Sequence, residues 1–438
     1  MKYFLIAVST FLSFCVHAQN EPRINYTKLK ETIVEARDTL PVSYNMMQVD
    51  AFGKQRVSIP TSLFNGKLLR DKQPAYWDEY LAGTSTSVFK TNDAMVSLSV
   101  TNSGTVIRQT FQRFNYQAGK SQMVMMTGIL DPKRLSGNAV ARMGQFTASN
   151  SSTDNPEGFW FEADATNVYV CIGKPYGTGS GVKRIPQSQW NEDRVDGSGP
   201  SKKFVKFDKA QIFGFDYEWL GVGSVRFFIV QDNMFNVIHR FTHENELDAV
   251  YLSTPNLPLR YDLNASSGTG TLIQICSTVM NEPNEQPIGL SYFIGNSSNY
   301  TYSTDTYGIL TGYAMRTGYM DRLYFPKTIT TLSTDNVANY PWLITIGAQY
   351  TNNVTWVDDT ANLGLRIANP VVDAGITNLG YVLVSGFVAA DSSAEFDPID
   401  LLRVGKTISG QSQELLLLVR AVSGSPELSG GMSVTIVE

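Results

Sequence analysis

The feature that most constrains this chain is the period of its apolar residues. From Asp50 onward they recur at every second position in short runs, and clusters of Gly, Asn, Ser and Pro separate the runs. A period of two is strand geometry, because successive side chains leave opposite faces of a pleated backbone. Met95-Val96-Ser97-Leu98-Ser99-Val100-Thr101 alternates in this way, as does Val205-Lys206-Phe207-Asp208. Val225-Arg226-Phe227-Phe228-Ile229-Val230, a turn at Asp232-Asn233 and then Phe235-Asn236-Val237-Ile238-His239-Arg240-Phe241 predict a β-hairpin. Breaks at residues 148–156, 176–181, 196–200 and 264–270 punctuate the runs. Many short strands at this spacing predict a β-sandwich or jelly roll rather than βαβ units.

The chain has 438 residues, room for two or three domains at roughly 100–200 residues each. Asn281-Glu282-Pro283-Asn284-Glu285-Gln286-Pro287 is polar and Pro-bearing, and places a boundary near residues 278–290. Beyond it, Leu343-Ile344-Thr345-Ile346, Tyr381-Val382-Leu383-Val384 and the apolar run Glu414 to Val422 again read as strands. Before Asp50 the period differs: Leu29, Ile33 and Ala36 share one face of a short helix. The expected fold is therefore all-β, a concanavalin-like or jelly-roll β-sandwich over 49–280, then a second β-rich domain over 290–438. A short helical arm at 20–48 precedes them. Charged residues make up 17% and hydrophobic ones 42%, so the chain is folded rather than disordered. Lys+Arg 35 against Asp+Glu 40 gives a net charge of −5, which argues against nucleic acid as the principal ligand.

Residues 1–19 read as a secretory signal. Lys2 supplies a minimal positive end, Tyr3 to Val16 is mostly apolar, and Val16-His17-Ala18 before Gln19 is a small-residue cleavage site. This predicts secretion or a cell-surface location. No later run is long and apolar enough for a transmembrane helix. Of the three cysteines, Cys15 falls in the signal-like segment. Cys171 and Cys276 lie in apolar runs and are read either as one disulfide or, more plainly, as buried free thiols.

Catalytic equipment is sparse. His239 and His243 stand at i, i+4, a chelating spacing on a helix, but along a strand such side chains lie about 13 Å apart, so no metal site is assigned. No nucleophile elbow, Walker motif, CxxC or HExxH occurs. Phe213-Gly214-Phe215-Asp216-Tyr217-Glu218-Trp219-Leu220-Gly221 is the most suggestive stretch. On a strand Asp216 and Glu218 would share a face, about 7 Å apart. Retaining glycosidases need two carboxyl groups about 5–5.5 Å apart. The stretch resembles the Glu-x-Asp-x-Glu strand of laminarinase-type, concanavalin-like glycosidases. The nucleophile position of that motif is Gly214 here, so the resemblance implies a related sandwich without its chemistry, and no catalytic residue is assigned.

Trp160, Tyr217 and Trp219 are candidates for stacking on sugar rings, with Asp216 and Glu218 as hydrogen-bonding partners; filling a sandwich core is the plainer role for such aromatics. No cofactor is expected. Structural calcium is the one metal to test, at Asp358-Asp359 or at Asp397 with Asp400, although solvated loop carboxylates account for both. Arg108, Arg113 and Lys120, interleaved with Phe111, Phe114 and Tyr116, read as the outer face of a strand.

A set of ordered blocks then points to a family. They begin with Asp50-Ala51-Phe52-Gly53-Lys54-Gln55-Arg56-Val57-Ser58 and Asp71-Lys72-Gln73-Pro74-Ala75-Tyr76-Trp77-Asp78-Glu79. Residues 108–122 follow, with Arg113, Tyr116, Gly119 and Lys120, and then Gln187-Ser188-Gln189-Trp190-Asn191. Residues 196–201, 215–223 with Gly221, and 253–261 with Arg260 complete the set. Over about residues 48–280 the chain resembles a family of virion structural proteins of tailed bacteriophages, with similar sequences in large DNA viruses. The resemblance implies a non-enzymatic, β-rich surface component such as a head fibre, tail fibre or collar protein. Its implied partners are other virion proteins, further copies of itself (trimers above all) and host-surface glycans. Two departures stand out: Ala118 replaces the usual proline of the Tyr-Gln-Pro-Gly-Lys block, and a signal-like start is unusual for a protein assembled in a virion. The alternative is a secreted carbohydrate-binding or adhesin protein of a bacterium, a prophage-derived copy included.

Overall fold

The structure is a computed structural model that describes residues 49–52, 59–148, 152–174, 181–282, 288–302, 306–334, 339–397, 403–424 and 427–437. The signal-like segment 1–19, the helical arm 20–48 and residues 283–287 of the expected linker lie outside the described residues. Among the described residues there is no α-helix, and every strand pairing is antiparallel. The chain has the expected all-β fold, a jelly-roll sandwich followed by further β-structure.

The first thirteen strands are β1 (Thr61–Lys67), β2 (Trp77–Lys90), β3 (Met95–Thr110), β4 (Ser121–Ile129), β5 (Val140–Thr147), β6 (Glu157–Ala163), β7 (Val168–Lys174), β8 (Gly181–Pro186), β9 (Gln211–Tyr217), β10 (Val225–Gln231), β11 (Met234–Phe241), β12 (Leu259–Ala265) and β13 (Thr269–Glu282). They form one sheet in the order β11-β10-β9-β4-β13-β3-β12-β5-β6-β7-β8, with β1 added on β13 and β2 on β3. The sheet doubles over on itself. Phe161 of β6 lies 4.9 Å from Phe213 of β9 and 5.2 Å from Phe227 of β10. Those strands are far apart along the sheet, so only a folded sheet brings them face to face. The long strand β3 makes the fold: residues 96–101 pair with β13 and residues 104–109 with β12. The bend needs glycine. Gly83 sits at φ 65° opposite it, and a Cβ on Gly104 would stand 2.7 Å from the Ala82 carbonyl oxygen.

The predicted hairpin is β10–β11, and its turn is made by Asp232 (φ 54°) and Asn233 (φ 58°), two residue types that tolerate the left-handed region. Inside the fold, Val106, Phe159, Phe161, Phe213, Phe215, Phe227, Tyr261 and Leu263 belong to one buried cluster that draws only on residues 64–279.

The remaining strands are β14 (Leu290–Thr301), β15 (Gly308–Met315), β16 (Leu323–Ser333), β17 (Tyr340–Ile346), β18 (Gln349–Tyr350), β19 (Trp356–Asp358), β20 (Leu365–Ala368), β21 (Ile376–Asn378), β22 (Tyr381–Val388), β23 (Ser393–Phe396), β24 (Glu414–Val419) and β25 (Glu427–Val437). A four-stranded sheet β14-β25-β16-β23 packs on a six-stranded sheet β19-β20-β15-β24-β17-β22. The leucine run of β24 is a central strand. Leu415 and Leu417 enter the core between the two sheets, and Leu416 and Leu418 enter a second cluster on the far face. A strand covered on both faces reads as a continuous apolar run. The two parts touch where the Ile408 amide donates to Asp78 (2.7 Å), the Lys406 amide to the Phe111 carbonyl (3.0 Å), and Arg113 pairs with Asp321 (3.2 Å).

Candidate functional site

Strand β9 sends Phe213, Phe215 and Tyr217 into the core, so Asp216 leaves by the other face. That face is covered as well. Asp216 is 0% exposed and forms a two-pronged ion pair with Arg226 of β10, its register partner. The second guanidinium nitrogen of Arg226 also donates to the Val49 carbonyl (3.2 Å). At the absent nucleophile, the ring of Phe228 takes the space: a Cβ on Gly214 would stand 2.4 Å from it. Glu218 is likewise 0% exposed. Neither carboxylate of the proposed pair reaches a sugar, because burial and, for Asp216, a guanidinium close it off. The assignment of Asp216 and Glu218 as glycan-contacting residues is corrected accordingly.

The aromatic candidates divide. Tyr217 is fully buried, packs 4.7 Å from Phe159, stacks 5.6 Å from Tyr116, and donates its hydroxyl to Gln122 Oε1 (2.6 Å). Burial holds its phenol well above the ordinary range. Trp160 is also fully buried. Its ring packs 5.3 Å from Phe146 on the outer face of β6, and its Nε1 donates to Glu162 (3.0 Å). Glycine makes the room: a Cβ on Gly173 would stand 2.7 Å from the indole. Neither ring is free to stack on a ligand, and both take the core-filling role. Trp219 alone is half-buried, edge-on to Tyr116 at 6.1 Å.

The residues singled out by the family blocks are structural joints. Arg113 is 4% exposed and donates to the Asn256 carbonyl (2.8 Å). Arg108 is 0% exposed, donates to Gln274 Oε1 and the Lys72 carbonyl (both 2.7 Å), and pairs with Glu79. The expectation that Arg108 and Arg113 line the outer face of a strand is therefore corrected; a guanidinium can be buried when acceptors surround it. Lys120 is half-exposed beside Gly119 (φ 80°), in the turn closed by its amide on the Gln117 carbonyl (3.0 Å). The Tyr116 hydroxyl accepts from the Leu220 amide (3.3 Å), and burial pushes this phenol up to about 12. Trp190 donates to the Ile185 carbonyl (3.2 Å). Gly221 takes φ 85°, and its carbonyl accepts the Tyr251 amide (3.0 Å).

The sequence reading missed a cross-strand ion-pair ladder on the outer face of β12, β5, β6 and β8. Arg260 pairs with Asp262 (2.9 Å) and donates to Gln109 and the Ser152 carbonyl. Arg142 pairs with Glu162 (2.9 Å) and donates to the Thr153 carbonyl (2.7 Å). Arg184 pairs with Glu162 and Asp164 and lies 3.4 Å over the Tyr169 ring. Burial would raise Asp164, but hydrogen bonds from Thr166 and Arg184 hold it well below the usual carboxylate range. Three guanidiniums face three carboxylates, so the ladder is charge-balanced. The signal was present for four of them: Arg260, Asp262, Arg142 and Glu162 each stand between two core residues, as in Leu259-Arg260-Tyr261-Asp262-Leu263, whereas Arg184 and Asp164 do not.

The other candidates resolve similarly. Asp359 accepts from the amides of Leu363, Gly364 and Leu365, and Asp358 pairs with Arg316 (3.2 Å). Asp397 accepts from Thr328 (2.8 Å), and Asp400 lies outside the described residues. Among the described residues no group of three His, Cys, Asp or Glu is placed to hold a metal. Cys171 and Cys276 are both free thiols, as the plainer reading had it; Cys171 is buried, while Cys276 is exposed, which corrects the expected burial of Cys276. No helix among the described residues is long and apolar enough to cross a membrane.

His239 accepts the Asn191 amide at Nδ1 (3.2 Å) and lies edge-on to Phe241 at 4.5 Å. Burial lowers its pKa to about 4. The folded state thus favours the neutral ring. Its stabilisation is complete above the unfolded value of 6.5 and is lost as pH falls through about 4. The expected loss is about 3 kcal/mol between pH 7 and pH 4. Urea unfolding of the wild type against His239→Gln over that range measures it; parallel pH profiles would remove His239 as the cause.

No protein family model matches this chain, and no curated protein matches it. Solved structures do. The endo-β-1,4-glucuronan lyase from the fungus Trichoderma reesei aligns with 50% of this chain and 95% of its own, at 11% identity and a TM-score of 0.32. The carbohydrate recognition domain of Emp47p aligns with 52% of this chain and 99% of its own, at 9% identity and 0.33. A lectin from Bauhinia forficata in complex with GalNAc aligns with 50% and 98%, at 10% identity and 0.30.

Proposed function

We propose that this chain is a non-enzymatic structural protein of a bacteriophage virion surface, a head fibre, tail fibre or collar component that serves assembly or host attachment. The observation that carries the reading is how the sequence blocks behind the family resemblance meet in space. The block at 108–122 joins the block at 253–261 through Arg113 to the Asn256 carbonyl, the Tyr116 amide to Asn256 Oδ1 (3.0 Å) and the Leu259 amide to Thr110 Oγ1 (3.0 Å). It joins the block at 71–79 through Arg108 to Glu79 and the Phe111 amide to the Tyr76 carbonyl (3.0 Å). It joins the block at 215–223 through Tyr116 and Leu220, and through Tyr217 and Gln122. Residues shared for chemistry would converge on an open cleft; these converge on one another inside the sandwich. They encode a scaffold, which is the common part of a structural protein.

The carboxylates closest to a hydrolytic pair are buried, which supports the non-enzymatic part of the reading. A secreted carbohydrate-binding protein is the second reading, favoured by the signal-like residues 1–19. Peptide mass spectrometry of purified particles, with the protein's N-terminus sequenced, separates the two. Incorporation at a fixed copy number is the expected result. A soluble secreted protein, cleaved after Ala18 and missing from particles, would overturn the first reading in favour of the second.

A further inference from the structure

Strand alternation in the sheet β14-β25-β16-β23 turns Ile294, Met432, Val434 and Ile436 into the core. The register pairs Ser291–Thr435, Phe293–Ser433 and Gly295–Gly431 therefore share the opposite face. On that face Phe293 is 58% exposed. Its ring does not stand away from the sheet. It runs along its own strand and reaches across to the next, so that a Cβ on Gly295 would lie 2.7 Å from the ring tip and a Cβ on Gly431 2.5 Å. Two backbone-only positions thus form a floor beneath the ring and leave its upper face to solvent. Glycine within a strand weakens the strand, and it marks places where something must approach the backbone closely. Here the approaching group is the ring itself, held flat.

The surroundings define what the upper face would take. The side chains beside the ring on β14 and β25 are short and hydroxylic: Ser291 and Ser433, and then the buried Thr435, whose hydroxyl lies 3.3 Å from that of Ser291. Beyond Thr435 the face closes into the buried cluster of Leu323, Phe325 and Val437. Around this sheet the exposed Lys327 and the half-buried Arg403, whose guanidinium lies 4.0 Å over the Phe325 ring, stand against the exposed Glu395 and Asp397, two charges of each sign. A flat apolar surface with hydroxyls beside it and no charge excess suits a molecule with one C–H face and hydroxyl edges. It does not suit an anion, which needs a cationic excess, or an aliphatic helix, which needs a groove.

We infer that Phe293, on its Gly295–Gly431 floor, is a contact platform for the C–H face of a neutral hexose in a surface glycan. The platform lies on the four-stranded sheet, not on the residues of 216–219 that the sequence suggested. The inference rests on the attachment part of the reading above, but the two fail separately. Absence from particles defeats the virion reading whatever Phe293 does, and particle incorporation can stand while Phe293 proves inert.

The test uses the full chain on an array of neutral hexose, N-acetylhexosamine and uronate oligosaccharides, followed by titration of the strongest binder. Neutral hexose glycans should bind. Phe293→Ala should weaken binding about tenfold or more, the loss of one aromatic stacking contact with its buried area. Gly431→Ala, which leaves the ring in the chain but removes its floor, should weaken it several-fold. Phe293→Trp should retain binding. Phe387→Ala, an exposed ring on β22, should leave affinity unchanged and controls for folding. No binding by the folded wild type would overturn the inference. So would a preference for uronates, binding that Phe293→Ala leaves intact, or self-association of the chain that Phe293→Ala abolishes.

Discussion

Asp216→Ala should destabilise the sandwich by about 3–5 kcal/mol, the cost of leaving one member of a buried ion pair without its partner. Arg226 is 4% exposed and donates from two guanidinium nitrogens to Asp216, one of which also donates to the Val49 carbonyl. Alanine would leave that cation buried without its carboxylate, on a face whose nearest strand partner on β11 is the like-charged Arg240. The double variant Asp216→Leu/Arg226→Met removes both charges at similar volume and should recover most of the loss. Urea denaturation of the three proteins measures both effects. A single variant within 1 kcal/mol of wild type, at the ~1 kcal/mol scale of an exposed pair, would mean that water reaches the pair. Asp216 would then become available to a ligand after all.

Trp160→Ala should cost about 3–5 kcal/mol, the range for truncating a large buried aromatic. The indole fills the space left over Gly173 and packs on Phe146, and its removal opens a cavity and takes a donor from Glu162. Trp160→Phe should recover part of the packing but not the hydrogen bond, which is worth about 1 kcal/mol by itself. The discriminating readout is binding. Any glycan that the wild type binds should be bound by folded Trp160→Phe with unchanged affinity. A loss of affinity without a loss of stability would return Trp160 to the surface role that the sequence allowed.

These two residues also mark how far the sequence could be read. Alternation places Asp216 opposite Phe215 and Tyr217, and Trp160 opposite Phe159 and Phe161. Which side each leaves by was legible. Whether that outer side is open or covered was not legible, although for Trp160 the plainer core-filling role holds. Segment 152–156 lies over Arg260 and Arg142 through the Ser152 and Thr153 carbonyls, and nothing in those residues announces it. Arg108 and Arg113 misled for the same reason: a guanidinium beside aromatics looks exposed until its acceptors, Gln274 and Asn256, arrive from strands and loops more than a hundred residues away. The β10–β11 turn and the β24 leucine run were readable because their cause is local. Asp232 and Asn233 accept a positive φ, and four successive leucines suit a strand covered on both faces.

By itself, then, the sequence determined that the chain is built of strands and which residues of a strand share a face. Alternation alone does not make a strand: Val205-Lys206-Phe207-Asp208 alternates as a strand would, yet the structure places it in the loop and turn between β8 and β9. Those properties follow from a period of two and from turn residues, which act over a few positions. The tertiary structure decided which faces meet water. Phe293 and Trp160 occupy equivalent places in their alternation, each an aromatic on the polar side of a strand. One is 58% exposed over glycine and the other is completely covered. The difference lies in what packs above them, and that depends on pairings between distant segments, such as β12 with β3 and β14 with β25, whose register no local pattern encodes.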